Sequence, residues 1–436
     1  MAVCFVFVLF VEADIVPLVL PAVWCFCSSP EYAASVREID QKLNVTNATL
    51  VKVPFDLDRW TKVAAERYPN GLPEPYSDDP TQWIFHGDPC RSVVWNEETK
   101  RTDHGPPRID ATVLHVAVAR LLGYRWPAEL DPEMRLAPEQ REVTDDCRAF
   151  GAFADPDGIV CLPSVRGEPP AADRLRSLLA SAYGDEWSTA TERALLTATS
   201  PKPPKSLDGW LRDRFFQEHC KLFHNRPFIW HVWDGHKDGF HALVNYHRLA
   251  GPEGQGRRTL ESLTYAYLNE WIDRQRTESQ EGAPGADGRL TAALDLQEQL
   301  QRILVGEPPC DIFVRWRPLH RQAIGWEPNI NDGIRLNIRP FMRAELRRGG
   351  RAGAGLLRRK PNIKWGKDRG KEPEGPRPRN DFPWFWGCPG GGGEDARTDF
   401  RAADDAEFDG SRWNDLHYTR SAKASAHQSS HRGPRP

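Results

Sequence analysis

The sharpest hydrophobic pattern in the chain lies between His224 and His247, HNRPFIWHVWDGHKDGFHALVNYH. Two short aromatic and β-branched runs flank the turn-forming DGHKDG, which predicts a β-hairpin with an acidic, glycine-rich loop. Gly235 and Gly239 are expected to take positive φ there, and Asp234 and Asp238 to hydrogen-bond the loop backbone. The hairpin reads as half-exposed, with polar residues available to a partner.

Helical spacing recurs on either side. Ser29-Pro30 opens a helix over 30–43 with Tyr32, Val36, Ile39 and Leu43 on its buried face. The run 48–55 then reads as a strand ending at Pro54, and 69–110 as loops. Asp110 caps a helix carrying Leu114, Val118, Leu121 and Leu122, closed by Gly123. No period holds over 128–170. Leu175, Leu178, Leu179 and Ala182 mark a short helix, and 200–205 a linker or surface loop. Ser206 caps a helix bearing Leu207, Trp210, Leu211 and Phe215. Beyond the hairpin, Leu260, Leu263, Tyr267 and Trp271 define one amphipathic helix, and Leu290, Leu294, Leu300 and Leu304 another, with a flexible excursion over 278–288. The runs 311–317 (DIFVRWR) and 333–341 (GIRLNIRPF) alternate like strands. In the second, Arg335, Asn337 and Arg339 share a face suited to phosphate or base-edge contacts, or serving only as the polar side of an edge strand. From Arg343 the stretch RAELRRGGRAGAGLLRRK reads as low-complexity and mobile, and there is no internal repeat.

Composition changes this picture in three ways. Hydrophobic residues make up 39% of the 436 residues beside 37 prolines and 34 glycines, yet there are 16 tryptophans, so folded blocks joined by disordered inserts are expected. Between Arg335 and Arg379 stand fifteen Lys or Arg against four Asp or Glu, a local balance of +11 in a chain of net charge −3. Such a block suits a polyanion such as nucleic acid, or is a solvated basic loop. Nine scattered cysteines without a CxxC pair indicate a reduced, cytoplasmic protein.

The apolar amino terminus lacks a basic start and is interrupted by Glu12 and Asp14, so neither a secretory signal nor a membrane span is expected. It reads instead as a chain cut inside a folded domain. The glycosylation-type triplets at Asn44 and Asn47 are read as coincidence.

Candidate chemistry begins with the five histidines of the hairpin region. No two lie a short even distance apart on one strand, although His231 and His241 can meet across the hairpin, and no metal site is expected. Asn225-Arg-Pro-Phe and two glycine clusters, at 251–256 and 349–355, are weak as signatures by themselves.

Several blocks together resemble one family, the large adenine-specific DNA methyltransferases of restriction–modification and phage-defence systems, including type IIG enzymes and the methyltransferase subunits of BREX and DISARM. They are 27–57 (CSSPEYAASVREIDQKLNVTNATLVKVPFDL), 68–87 (YPNGLPEPYSDDPTQWIFHG), 116–127 (VAVARLLGYRWP), 226–249 (RPFIWHVWDGHKDGFHALVNYHRL), 325–341 (GWEPNINDGIRLNIRPF) and 362–373 (NIKWGKDRGKEP). The first also resembles the closing part of a target recognition domain. The resemblance covers the carboxy-terminal part of such proteins. It implies an S-adenosylmethionine loop and an Asn-Pro-Pro-Tyr/Phe tetrad upstream, and this chain carries neither: Arg226 stands where the tetrad has its first proline.

The expected fold is α+β, with helices, short antiparallel strands and hairpins, disordered inserts and a partly disordered basic tail. Residues 1–60 would form the end of a target-recognition-like domain and 61–205 a helical, loop-rich connection. An α+β domain over 206–342 and an irregular basic tail over 343–436 would follow. The function implied is that of a truncated or split DNA-binding specificity fragment, inactive alone, whose S-adenosylmethionine is held elsewhere. Its partners would be double-stranded DNA and the missing methyltransferase domain or other defence subunits, with no membrane involved. Arg335, Arg339, Lys364, Lys367, Arg369 and Lys371 are the expected phosphate contacts. The alternatives are a metal-dependent hydrolase or nuclease using His231, Asp234, His236, Asp238 and His241, and a structural subunit of a defence complex.

Overall fold

A computed structural model of the chain describes residues 16–42, 45–307, 310–312, 319–330, 333–348, 351–363 and 419–431. The fold is α+β, helices predominating over small antiparallel sheets. Among the described residues no helix is long and apolar enough to cross a membrane. The chain forms two compact units that do not follow the linear order of the sequence. One comprises the described residues within 1–86, 91–107 and 127–146, the other those within 87–90, 108–126 and 147–436.

The first unit is built on the helices Val16–Cys27, Pro30–Ile39 and Leu57–Arg67. The Ser29 hydroxyl accepts from Tyr32 N at 3.0 Å, and Asp56 caps the third helix by accepting from Arg59 N at 3.0 Å. Phe26, Tyr32, Val36, Trp60 and Ala64 are buried together. The predicted strand over 48–55 is not one. Asn47–Leu50 is a single helical turn, and the chain then bends so that Val53 is buried while Val51 is exposed. An alternating run needs a partner strand, and this one meets a helix bundle instead: Tyr32 Oη donates to the Leu50 carbonyl at 3.2 Å. The stretch expected to be loops contains a two-stranded ribbon, β1 (Val93–Asn96) and β2 (Arg101–His104), whose exposed, polar second strand carries no hydrophobic signal.

The second unit is organised around an antiparallel sheet of order β3-β5-β4, with β3 at Ile159–Cys161, β4 at Ile229–Trp233 and β5 at His241–Asn245. β4 and β5 are the predicted hairpin, paired from Ile229↔Asn245 to Trp233↔His241. It is not half-exposed, because every residue of both strands except Trp233 is buried. Trp230 meets Phe341 and Tyr246 at ring distances of 5.1 and 5.3 Å, while His231 on the opposite face lies 6.3 Å from Phe216. β3 comes from the stretch with no period. Three residues are too short to show one, and their strand character depends on pairing Ile159 with Val244.

The predicted helices are present at Val113–Leu121, Ala171–Tyr183, 207–222, 255–280 and Ala286–Val305. Asp110 is not the cap of the first of these: the helix starts after Thr112 without a side-chain cap bond, and Asp110 accepts from Thr112 N at 2.7 Å in the turn before it, while Gly123 ends the helix at φ +71°. Over 281–285 the expected excursion is a tight turn, with Gly282 and Gly285 both at positive φ. The two expected late strands differ. Residues 313–317 lie outside the described residues. Residues 333–341 form two short helices, beginning at Gly333–Asn337 and resuming at Arg339–Arg343 with Pro340 in the first turn. Proline has no N–H to give a ladder and is tolerated at a helix start, so no strand could be completed there.

The stretch expected to be mobile forms a ribbon, β6 (Glu345–Arg348) with β7 (Arg351–Gly355). The chain then runs along β4: Trp233 N donates to Leu356 O at 3.0 Å and Arg358 N to His231 O at 2.9 Å. Finally, Lys423 on the helix Arg420–His431 is fully buried and donates to Asp311, also fully buried, at 2.8 Å.

Candidate nucleic-acid interface

The hairpin loop is held from inside. Asp234 accepts from His236 N at 2.9 Å and from Phe240 N at 2.7 Å, and burial pushes its carboxyl up to about 6. Gly235 has φ +81°, as its place in the turn predicts, but Gly239 is absent from the positive-φ positions. Its role is close approach: a Cβ there would stand 2.3 Å from Asp234 Oδ1. His241 Nε2 lies 3.0 Å from the His236 carbonyl, which only accepts, so Nε2 carries the proton. His241 Nδ1 is then the acceptor for His231 Nε2–H at 2.9 Å. Both rings are neutral in this chain of hydrogen bonds. Burial lowers His241 to about 4 and His231 well below its ordinary value.

The histidines and aspartates of the hairpin are therefore engaged with one another and with backbone. His236 Nδ1 takes Asp238 Oδ1 at 2.6 Å. Among the described residues no three His, Cys, Asp or Glu side chains could together hold a metal ion.

The tetrad-like run and the glycine clusters have roles in the local fold. The Asn225 side-chain oxygen accepts from Asn362 N at 3.0 Å, and Phe228 is buried, so this tetrad-like run supports the fold rather than presenting an acceptor to an amino group. The 251–256 cluster leads from a single helical turn, not from a strand end, into the 255–280 helix. Gly256 is needed by the chain itself, since a Cβ would meet the Leu249 carbonyl at 2.1 Å. Of the 349–355 cluster, Arg351–Gly355 form β7.

The expected phosphate contacts divide three ways. Arg335 is partly exposed on the 333–337 helix. Arg339 is 3% exposed, so its guanidinium does not reach the surface, and the alternating face that joined it to Arg335 and Asn337 does not exist. Asn337 is buried and donates to Tyr246 Oη at 2.9 Å. Lys364, Lys367, Arg369 and Lys371 lie outside the described residues. Reasoning from alternation missed the cations that the ribbon segment does expose, Arg343, Arg347, Arg359 and Lys360. Their only signal in the sequence was charge density, seven Lys or Arg against Glu345 over 343–360. Arg358 anchors this segment. Its guanidinium lies 4.2 Å over the Trp233 ring and 3.2 Å from Asp213. No family model matches the chain, and no curated protein matches it.

Proposed function

We propose that this chain is the DNA-engaging, carboxy-terminal specificity region of an adenine-specific DNA methyltransferase of the restriction–modification or phage-defence kind. Catalysis and S-adenosylmethionine binding are assigned to a domain carried elsewhere. The observation that carries the reading is the convergence of three of the six family-like blocks, 116–127, 226–249 and 325–341, in one core. Tyr124, from 116–127, stacks on Phe228 at 4.1 Å, and Asn245 donates to the Leu122 carbonyl at 2.9 Å. Phe341, from 325–341, packs on Trp230 from 226–249. Blocks far apart in sequence thus behave as one module, and the cationic 343–360 segment leaves from it.

Arg335, Arg347, Arg359 and Lys360, with Lys364, Lys367, Arg369 and Lys371, are the proposed phosphate contacts. A two-stranded ribbon is also a shape that the major groove admits. The seven described cysteines are all free, in keeping with a cytoplasmic setting. The test is duplex binding over a salt series. Counterion release makes log affinity fall with log salt by about 0.9 per phosphate contact. An Arg347/Arg359/Lys360→Ala variant should flatten the slope by about two to three units, equally for any duplex sequence, and a Lys364/Lys367/Lys371→Ala variant should do the same. Wild-type slopes for both variants would remove the DNA reading of the basic block.

A further inference from the structure

We propose that the second unit contains a small-molecule site beside the 207–222 helix, built for a phosphorylated sugar unit of nucleoside-monophosphate size. A cavity of about 670 Å³ opens there, lined by His115, Ser200, Arg214, Gln217, Glu218 and Lys221 among others. That volume lies in the usual range of ligand pockets, roughly 300–1,000 Å³.

Three features mark it as more than a surface hollow. The first is a buried, unsatisfied group. The His115 side chain is 4% exposed and its Nδ1 has no hydrogen-bond partner. Leaving such an atom dry is costly, and the wall of a ligand pocket is one place where it can be satisfied. The second is a held carboxylate. Trp210 Nε1 donates to Glu218 Oε2 at 2.9 Å, and His115 Nε2 lies 3.7 Å from the same oxygen. Glu218 is thereby held by the Trp210 ring with His115 alongside, and offers its remaining acceptor capacity to the cavity.

The third is charge without a counter-charge. Residues 214, 217, 218 and 221 follow helical spacing on one face, Arg214 within a π turn at Leu211–Phe215 and the others in the turns after it. Arg214 bonds only the Ser200 hydroxyl, at 3.1 Å, and Lys221 and Gln217 have no side-chain partner among the described residues. The neighbouring Asp213 is already paired with Arg358 and Arg212, at 3.2 and 3.6 Å.

Two uncompensated cations on one wall call for an anion, and phosphate suits both. A fixed carboxylate and a buried imidazole nitrogen between them call for hydroxyl or N–H donors on the same ligand. Bare phosphate at neutral pH supplies the first need and leaves Glu218 facing like charge. A sugar phosphate supplies both.

The test is calorimetry on the full chain with AMP, adenosine and inorganic phosphate as separate probes. AMP should bind saturably at one site, and adenosine and phosphate about ten-fold or more weaker. Lys221 is exposed and Arg214 partly so, hence an Arg214→Ala/Lys221→Ala variant should retain its circular dichroism spectrum while losing AMP affinity by at least about ten-fold. Glu218→Gln should weaken AMP while leaving inorganic phosphate unchanged or tighter. Absence of AMP binding by the wild type, or wild-type affinity in the double variant, overturns the assignment. Neither result bears on the DNA slopes, which concern a different segment.

Discussion

Gly239→Ala should damage the hairpin loop through Asp234 rather than through backbone strain. The new Cβ would lie 2.3 and 2.4 Å from the two Asp234 carboxylate oxygens and 2.7 Å from its Cγ, distances that atoms do not tolerate. The carboxylate is no flexible tip, being 3% exposed and fastened to two backbone amides. It must swing out and forfeit both bonds. A hydrogen bond to a charged group contributes about 1.5–3 kcal/mol, and two buried amides are left without acceptors. Rehydration of a carboxyl that burial had pushed up to about 6 offsets part of this. The net loss expected is about 2–3 kcal/mol. In an Asp234→Ala background the same change meets empty space, and its cost should fall below about 0.5 kcal/mol. Urea unfolding at pH 7.5 of wild type, both single variants and the double variant measures the coupling. Because the chain has two units, hydrogen exchange at His236 and Phe240 supplies a local readout, faster in either single variant. Equal costs for Gly239→Ala with and without Asp234 would refute the reasoning.

Gly235→Val, which forces φ +81° on a β-branched residue, should cost about 1–3 kcal/mol by strain alone, with or without Asp234; an unchanged midpoint would show the turn to be different. The hairpin also sets the acid limb of stability. His241 at about 4 and His231 well below normal both lie under the unfolded value near ~6.5, so their contribution is present above that pH and is lost as pH falls. Asp234, raised above the unfolded value of ~3.9, runs the other way: its contribution is full at low pH and is lost as pH rises through about 6. Asp234→Asn should therefore steepen the loss between pH 6 and pH 4 by about 2 kcal/mol, and parallel acid limbs would contradict this. Lys423→Met should cost about 3–5 kcal/mol by removing the ammonium that donates to buried Asp311, with most of it recovered in Lys423→Met/Asp311→Leu; equal thermal unfolding of wild type and the single variant would count against it.

Much of the local structure was legible because its causes are local. Ser29, Ser206 and Asp110 use their side-chain oxygens on amides two or three residues away, and the sequence alone determines that geometry. The 255–280 and 286–305 helices declare themselves by apolar spacing longer than any strand could carry. The 226–247 hairpin shows as two runs around DGHKDG. What the sequence left open was partnership. The 48–55 and 333–341 runs alternate like strands, but among the described residues they pair with no strand, and Asn47–Leu50 and Gly333–Asn337 are helical instead. Other segments have little pattern of their own: β3 became extended because β5 offered unpaired backbone groups, β6 and β7 because they pair with each other, and 356–358 because the outer side of β4 offered backbone groups to them. The same holds for the polar residues. Composition marked the hairpin histidines as candidate ligands and Arg339 as a phosphate contact. Only the tertiary structure decided that His231 Nε2 and both His241 nitrogens are engaged with each other and with a carbonyl, that Arg339 lies inside, and that His115 and Glu218, 103 residues apart, share one cavity wall.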